Sequence, residues 1–187
     1  QYNTAIGCSS MGALTGGYSN VAVGRNTLAS ITTGYDNTAV GALAGETLTT
    51  GYYNTYIGKS AGSGATTAAH SNVGIGLSAL SSAHGANNIA IGRGALSNTT
   101  DANQVAIGSS ALEANTSGEK NTAVGYQVLA LNTTGNYNTA MGHHALYNNV
   151  DGAHNTAIGY RALHSLEPAN QGGQNTAIGS QAGYKTC

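Results

Sequence analysis

The chain has 187 residues, six Lys and Arg against seven Asp and Glu, a net charge of -1, and neither Phe nor Trp. Thirty Leu, Ile and Val are too few for the core of an ordinary globular domain of this length, and the low net charge does not fit a chain kept open by self-repulsion. The charges stand singly, so no basic stripe is available for phosphates; no run of 18 apolar residues is present, and the opening residues do not suggest a charged-then-apolar leader.

The first element, NTAIG at Asn3 to Gly7, returns along the whole chain. Taking the glycine as marker, related pentapeptides end at Gly7, Gly24, Gly41, Gly58, Gly76, Gly92, Gly108, Gly125, Gly142, Gly159 and Gly179, with spacings of 17, 17, 17, 18, 16, 16, 17, 17, 17 and 20. One unit is used eleven times, which marks a repeat architecture over a single domain, residues 1–187. Just before each marker stands a large apolar residue: Ile6, Val23, Val40, Ile57, Ile75, Ile91, Ile107, Val124, Met141, Ile158 and Ile178. Three before it stands Thr or a β-branched aliphatic, from Thr4 and Val21 to Thr156 and Thr176. This composition predicts a short strand in every unit, with the Ile/Val column as the core.

After each glycine most units carry Ala then Leu, as in Ala79-Leu80, Ala95-Leu96 and Ala145-Leu146. The patch is too short for a helix and reads as a second strand, the other wall of a flattened coil. Between Leu and the next Asn lie turns such as Thr32-Thr33-Gly34, and a glycine seven before the marker recurs in eight of ten units, which suggests a corner with positive φ. The expected fold is an all-β parallel β-roll of about eleven 16–20-residue coils, with neighbouring strands about 4.8 Å apart and a rod roughly 50 Å long. Ten units have Asn four before the marker and one has Gln104, a set that predicts an amide ladder along the axis.

Alternation along the strand puts Ile6 and Thr4 on one face and Ala5 and Asn3 on the other. With the Ile/Val column assigned to the core, the small column (Ala5, Ala22, Ala39, Tyr56, Gly74, Ala90 and onward) becomes the candidate contact between chains. Tyr56 beside Gly74 looks like volume compensation in a close-packed column. Two apolar strand faces predict an oligomer.

Units of the type N-T/S-x-A-I/V-G resemble the head repeats of YadA-like trimeric autotransporter adhesins. NTAVGYQ at Asn121 to Gln127 is similar to repeats of bacterial and phage trimeric fibres. The resemblance covers essentially the whole chain, although a period of 17 is longer than is typical of those heads, and no neck, stalk or anchor is visible. It implies a left-handed roll, three chains per fibre, and attachment at a cell or virion surface.

Several local motifs are better read as repeat register. GKSAG at Gly58 to Gly62 matches a nucleophile elbow in letters only, and Ser60 lacks the strand-turn-helix setting that chemistry needs. GIGLSA at Gly74 to Ala79 has no helix pattern behind it to serve a dinucleotide. His70, His84, His143, His144, His154 and His164 fall in different columns and suggest a solvated surface, although His143 and His144 could approach His154 or His164 through the coil. Asn98, Asn115 and Asn132 each begin an N-x-S/T triplet.

Three functional classes follow. The first is a structural and adhesive extracellular fibre module, the rigid head of a trimeric adhesin or phage-type fibre that attaches to a host surface protein or glycan. The second is a subunit that stacks end to end into an extracellular filament, because the chain starts in full register at Tyr2-Asn3-Thr4 and stops partway round a coil after Gly179. In that arrangement Cys187 lies near Cys8 of a neighbour and an intermolecular disulfide can form; unpaired thiols are the plainer reading. Ice binding through the Thr column is disfavoured because Val and Ile interrupt it. Neither an enzyme nor a cofactor, metal or nucleic-acid partner is expected, and the chain is not expected to insert in a membrane.

Overall fold

The computed structural model describes residues 2–166 and 173–186. Eleven strands of three residues form one sheet: β1 (Thr4–Ile6), β2 (Val21–Val23), β3 (Thr38–Val40), β4 (Thr55–Ile57), β5 (Val73–Ile75), β6 (Ile89–Ile91), β7 (Val105–Ile107), β8 (Thr122–Val124), β9 (Thr139–Met141), β10 (Thr156–Ile158) and β12 (Thr176–Ile178). They lie in chain order, every neighbouring pair is parallel, and the register matches equivalent residues, as in Thr4 with Val21 and Ala5 with Ala22. Two short strands, β11 (Ser165–Leu166) and β13 (Lys185–Thr186), pair separately near the C-terminal end. No helix occurs among the described residues. The chain is therefore a parallel β-solenoid, with one coil for each repeat unit.

The marker glycine closes each strand because nothing larger fits. At Gly41 φ is 129°, and a Cβ built there would lie 2.6 Å from the carbonyl oxygen of Gly58 in the next coil. The backbone there takes a conformation that side chains disfavour and also approaches its neighbour closely. The glycine seven before the marker plays a different part from the one expected. Gly34 does not have positive φ; a Cβ there would meet Ile31 Cδ1 at 2.9 Å and crowd the Gly51 carbonyl. Close stacking, rather than a left-handed corner, requires that glycine.

The left-handed corners lie elsewhere, on side-chain-bearing residues. Ser60, Ser78 and Ser110, two after their markers, have φ near 57°, 56° and 56°, and Leu80, Leu96 and Leu112 have 52°, 49° and 51°. The Ala-Leu wall expected to be a second strand is thus a run of turns along most of the stack. Each left-handed residue costs about 1–2 kcal/mol. Hydrogen bonds from coil to coil offset that cost: Leu80 N–H donates to Ala95 O at 3.1 Å and Leu96 N–H to Ala111 O at 3.1 Å.

The two faces of the sheet are the reverse of the expected assignment. Ala22, Ala39, Tyr56, Ala90, Ala106, Ala123, Ala140 and Ala157 have no solvent exposure, and Gly74 is buried with them. The Ile/Val column, read as the core, points outward: Val23, Val40, Ile75, Ile91 and Val124 are half-buried, while Ile6, Ile57, Ile107, Met141, Ile158 and Ile178 are exposed. Width explains the exchange. The coil is so flat that Leu28, Leu80, Leu96, Leu112, Leu129, Leu146 and Leu163 from the opposite wall fill its interior, leaving room for little more than a methyl group on the strand side. Consequently Ala22, Ala39, Tyr56, Gly74 and Ala90 cannot form a contact between chains. Ala5 is exposed, but it belongs to the same inward column at the first coil.

Inside the stack, Tyr56 shows how volume is conserved. Gly74 in the next coil leaves space for its ring, a Cβ there falling 3.1 Å from Tyr56 Cδ1. Two further glycines, Gly45 and Gly62, stand in the column that Leu28 and Leu80 occupy elsewhere, and a Cβ on Gly62 would come 2.5 Å from the Tyr56 ring. The Tyr56 hydroxyl lies 2.9 Å from His84 Nε2, and His84 Nδ1 lies 2.8 Å from the Ser82 carbonyl. A carbonyl only accepts, so Nδ1 carries the imidazole proton and Nε2 accepts from the tyrosine. Burial pushes the His84 pKa down to about 4 and that of Tyr56 upward.

Amides hold the turn edges. Asn20, Asn37, Asn54 and Asn72 each donate from Nδ2 to the Oδ1 of the preceding coil's Asn at 3.2, 3.0, 2.9 and 3.0 Å, and Asn138, Asn155 and Asn175 continue the pattern. Gln104 keeps its place in this ladder by accepting from the Asn121 backbone N–H at 3.1 Å. A second ladder was not foreseen: Asn132 donates to Asn115 and Asn149 to Asn132, both at 2.9 Å, inside the coil. Its column is apolar in earlier coils, where Ile31 and Leu48 are buried.

Candidate functional site

The outer face of the eleven-stranded sheet is the most distinctive surface. Two side chains per strand stand on it, the Thr/Val column and the Ile/Val column, repeated in register through β1 to β10 and β12. Ile57, Ile107, Met141 and Ile158 remain 39, 37, 42 and 37 % exposed, and Ile89 from the neighbouring column 37 %. Leu77, one residue beyond Gly76, adds another exposed apolar side chain. The backbone of these strands is satisfied by adjacent coils, so what the face offers is side-chain surface. A row this regular presents an apolar, flat and self-similar patch, the kind of surface that monomeric proteins rarely leave open.

Chemistry-bearing residues gather into few arrangements. Tyr18, Tyr35, Tyr52 and His70 stack in one column with ring centroids 5.0, 5.0 and 4.8 Å apart. His154 stacks on Tyr137 at 4.9 Å, in a separate place from His143, His144 and His164. Those three do come together, with centroids 4.0 Å apart for His143 and His144 and 5.9 Å for His144 and His164. His84 is not on the surface at all. A solvated surface therefore fails for His84, while the expected approach of His143 and His144 through the coil is made to His164 and not to His154. Tyr56, set between Gly45, Gly62 and Gly74 in the sequence columns, was the available signal for a special interior position.

No group of three or more His, Cys, Asp or Glu among the described residues is arranged to hold a metal ion. The described residues enclose no detectable cavity, and they form no helix long and apolar enough to cross a membrane. Ser60 sits at a left-handed turn with φ 57°, its N–H donating to Ala42 O at 2.9 Å. Asn115 and Asn132 are wholly buried in the second amide ladder, whereas Asn98 is exposed. Cys8 is exposed and free; Cys187, its suggested intermolecular partner, lies outside the described residues. Compared with family models, with curated proteins and with solved structures, the chain matches none of them.

Proposed function

We propose that the chain is a structural and adhesive extracellular fibre module in which copies of it pack through the outer face of the sheet. The supporting observation is the exposed Ile/Val column on a solenoid whose strands are paired from coil to coil. Burying a half-exposed Ile is worth about 1 kcal/mol on the usual area scale, and the column repeats over eleven coils. A second copy presents the same spacing and the same apolar character, which makes it the natural occupant. A three-fold arrangement, as implied by the resemblance to trimeric adhesin and fibre repeats, closes three such faces around one axis and leaves the Leu walls and turn edges outside. Those outer surfaces are then free to attach to a host protein or glycan at a cell or virion surface.

The alternative is a subunit that stacks end to end into a filament. Among the described residues β1 pairs only with β2, and β12 only with β10, and an edge strand with one neighbour is a template for another. Electron microscopy separates the readings: rods of roughly 50 Å support a side-by-side module, whereas long filaments favour stacking. Dispersed particles one coil-stack wide, unchanged by Ile91→Asp together with Ile107→Asp, would contradict the packing proposed for the outer face.

A further inference from the structure

The coils of β8 to β12 carry a surface that the outer sheet face does not include. Gln127, His144 and Arg161 stand in one column on successive coils. On one side of it Tyr126 stacks on His143 at 5.1 Å and Tyr160 lies tilted 5.6 Å from His143; on the other Tyr147, His164 and Tyr184 stack at 5.4 and 5.1 Å. His144 Nε2 lies 2.7 Å from Gln127 Oε1. An amide oxygen only accepts, so Nε2 carries the proton and Nδ1 is left as an acceptor. That Nδ1 has no partner, and Arg161 Nε, a donor one coil on, has none either.

Among the described residues the charges acting on this column have one sign. Those acting on His144 are His143, His164 and Arg161, and Arg161 also acts on His164. Lys185 follows Tyr184 in β13. Burial and these cationic neighbours lower the pKa of both His144 and His164. A metal ion is poorly suited to a site with a fixed guanidinium and, among the described residues, no group of three or more His, Cys, Asp or Glu arranged to hold one. A small neutral ligand is poorly suited to a surface without a cavity.

We propose that this column binds the oxyanion groups of an acidic polysaccharide, the anion accepting from Arg161 Nε–H and from a protonated His144 Nδ1–H. Both atoms are covered, and the exposed His143 ring turns aside to admit the anion. A polymer suits the site because shallow contacts on neighbouring coils, about 4.8 Å apart, and on the tyrosine rings beside them replace the enclosure that a pocket would give. Tyr126 and Tyr160, each more than two-fifths exposed, border the track with apolar ring surface. Binding strengthens on acidification, since each imidazole that gains a proton adds a donor and a charge. This names a partner class for the attachment reading and rests on it for its biological setting; the binding itself is tested on the isolated chain.

The test measures binding of dextran sulfate, of polygalacturonate and of neutral dextran to the full chain at pH 5.5 and 7.5. At least one acidic polymer is expected to bind about tenfold tighter at pH 5.5, the scale of one charge-assisted hydrogen bond, with neutral dextran silent; the tighter of the two assigns sulfate ester or carboxylate. Arg161→Gln and His144→Gln are expected to remove most of that gain. His154→Gln, which removes an imidazole from a different column, is expected to keep it. Equal loss in His154→Gln, full binding in Arg161→Gln, or no binding of either acidic polymer at pH 5.5 would overturn the site. Inorganic sulfate is also expected to raise the NMR titration midpoint of His144 in the parent chain but not in Arg161→Gln, a readout that misfolding of a variant cannot imitate; an unmoved midpoint in the parent would count against the proposal.

Discussion

Acidification should reach the interior of the solenoid through His84. Its imidazole has no solvent exposure, accepts from the Tyr56 hydroxyl and donates to the Ser82 carbonyl, so a second ring proton would bring an unpaired charge into the interior and force the Tyr56 hydroxyl to give up its donation. The pKa falls from 6.5 to about 4 in the folded chain. A group depressed on folding binds its proton more readily when unfolded, so stability is fully present above pH 6.5 and drains away as pH falls through about 4. The gap corresponds to about 3 kcal/mol at pH 4. Urea unfolding at pH 7.5 and pH 4, at one protein concentration, measures it against the double variant Tyr56→Phe, His84→Met, which removes both polar partners together and leaves neither orphaned. His144 and His164 titrate in both proteins and cancel from the difference. The parent should lose about 3 kcal/mol more than the double variant. Equal losses in the two proteins, or an NMR midpoint for His84 near 6.5 in the folded chain, would refute the reasoning.

Other substitutions probe the remaining layers. Gly58→Ala places a Cβ 2.6 Å from Gly76 O at φ 132° and should cost more than about 2 kcal/mol, read as a lowered Tm; an unchanged Tm would show that the coils can separate there. Ala90→Leu should destabilise by about 1–3 kcal/mol through overpacking, whereas Ile91→Ser should leave monomer secondary structure by circular dichroism intact. Asn132→Ala breaks the inner ladder between Asn115 and Asn149 and should cost about 1–3 kcal/mol in urea unfolding. If the chain is passed through a glycosylating secretory host, mass spectrometry of glycopeptides should find sugar at Asn98 and none at the buried Asn115 and Asn132.

The period made the coil readable: spacings of the marker glycine map directly onto strands β1 to β10 and β12, and the Asn column onto the amide ladder. Which strand face turns inward was not readable from hydrophobicity. Ile91 is more apolar than Ala90, yet Ala90 is the buried one, because the space left by the facing Leu column decides the matter by volume. The second wall misled for a related reason. Ala79-Leu80 has apolar content suited to a strand, but Leu80 adopts a left-handed conformation that no propensity favours and that only coil-to-coil hydrogen bonding sustains. Tyr56 with Gly74 was legible as a size exchange, while His84 was not: its partner lies 28 residues away, and no column rule joins them. The approach of His143 and His144 to His164 was legible as one of two possibilities, with His154 the other, since the choice depends on which turn positions face out.

The account turns on what covers the outward Ile/Val column. Light scattering coupled to size exclusion measures it directly, on the parent chain and on Ile91→Asp with Ile107→Asp. A parent mass about three times the 18.6 kDa chain, falling to that of one chain in the variant while circular dichroism stays β, is the predicted result. A parent chain that runs at 18.6 kDa across the accessible concentration range, with Ile107 and Met141 open to water, would contradict it.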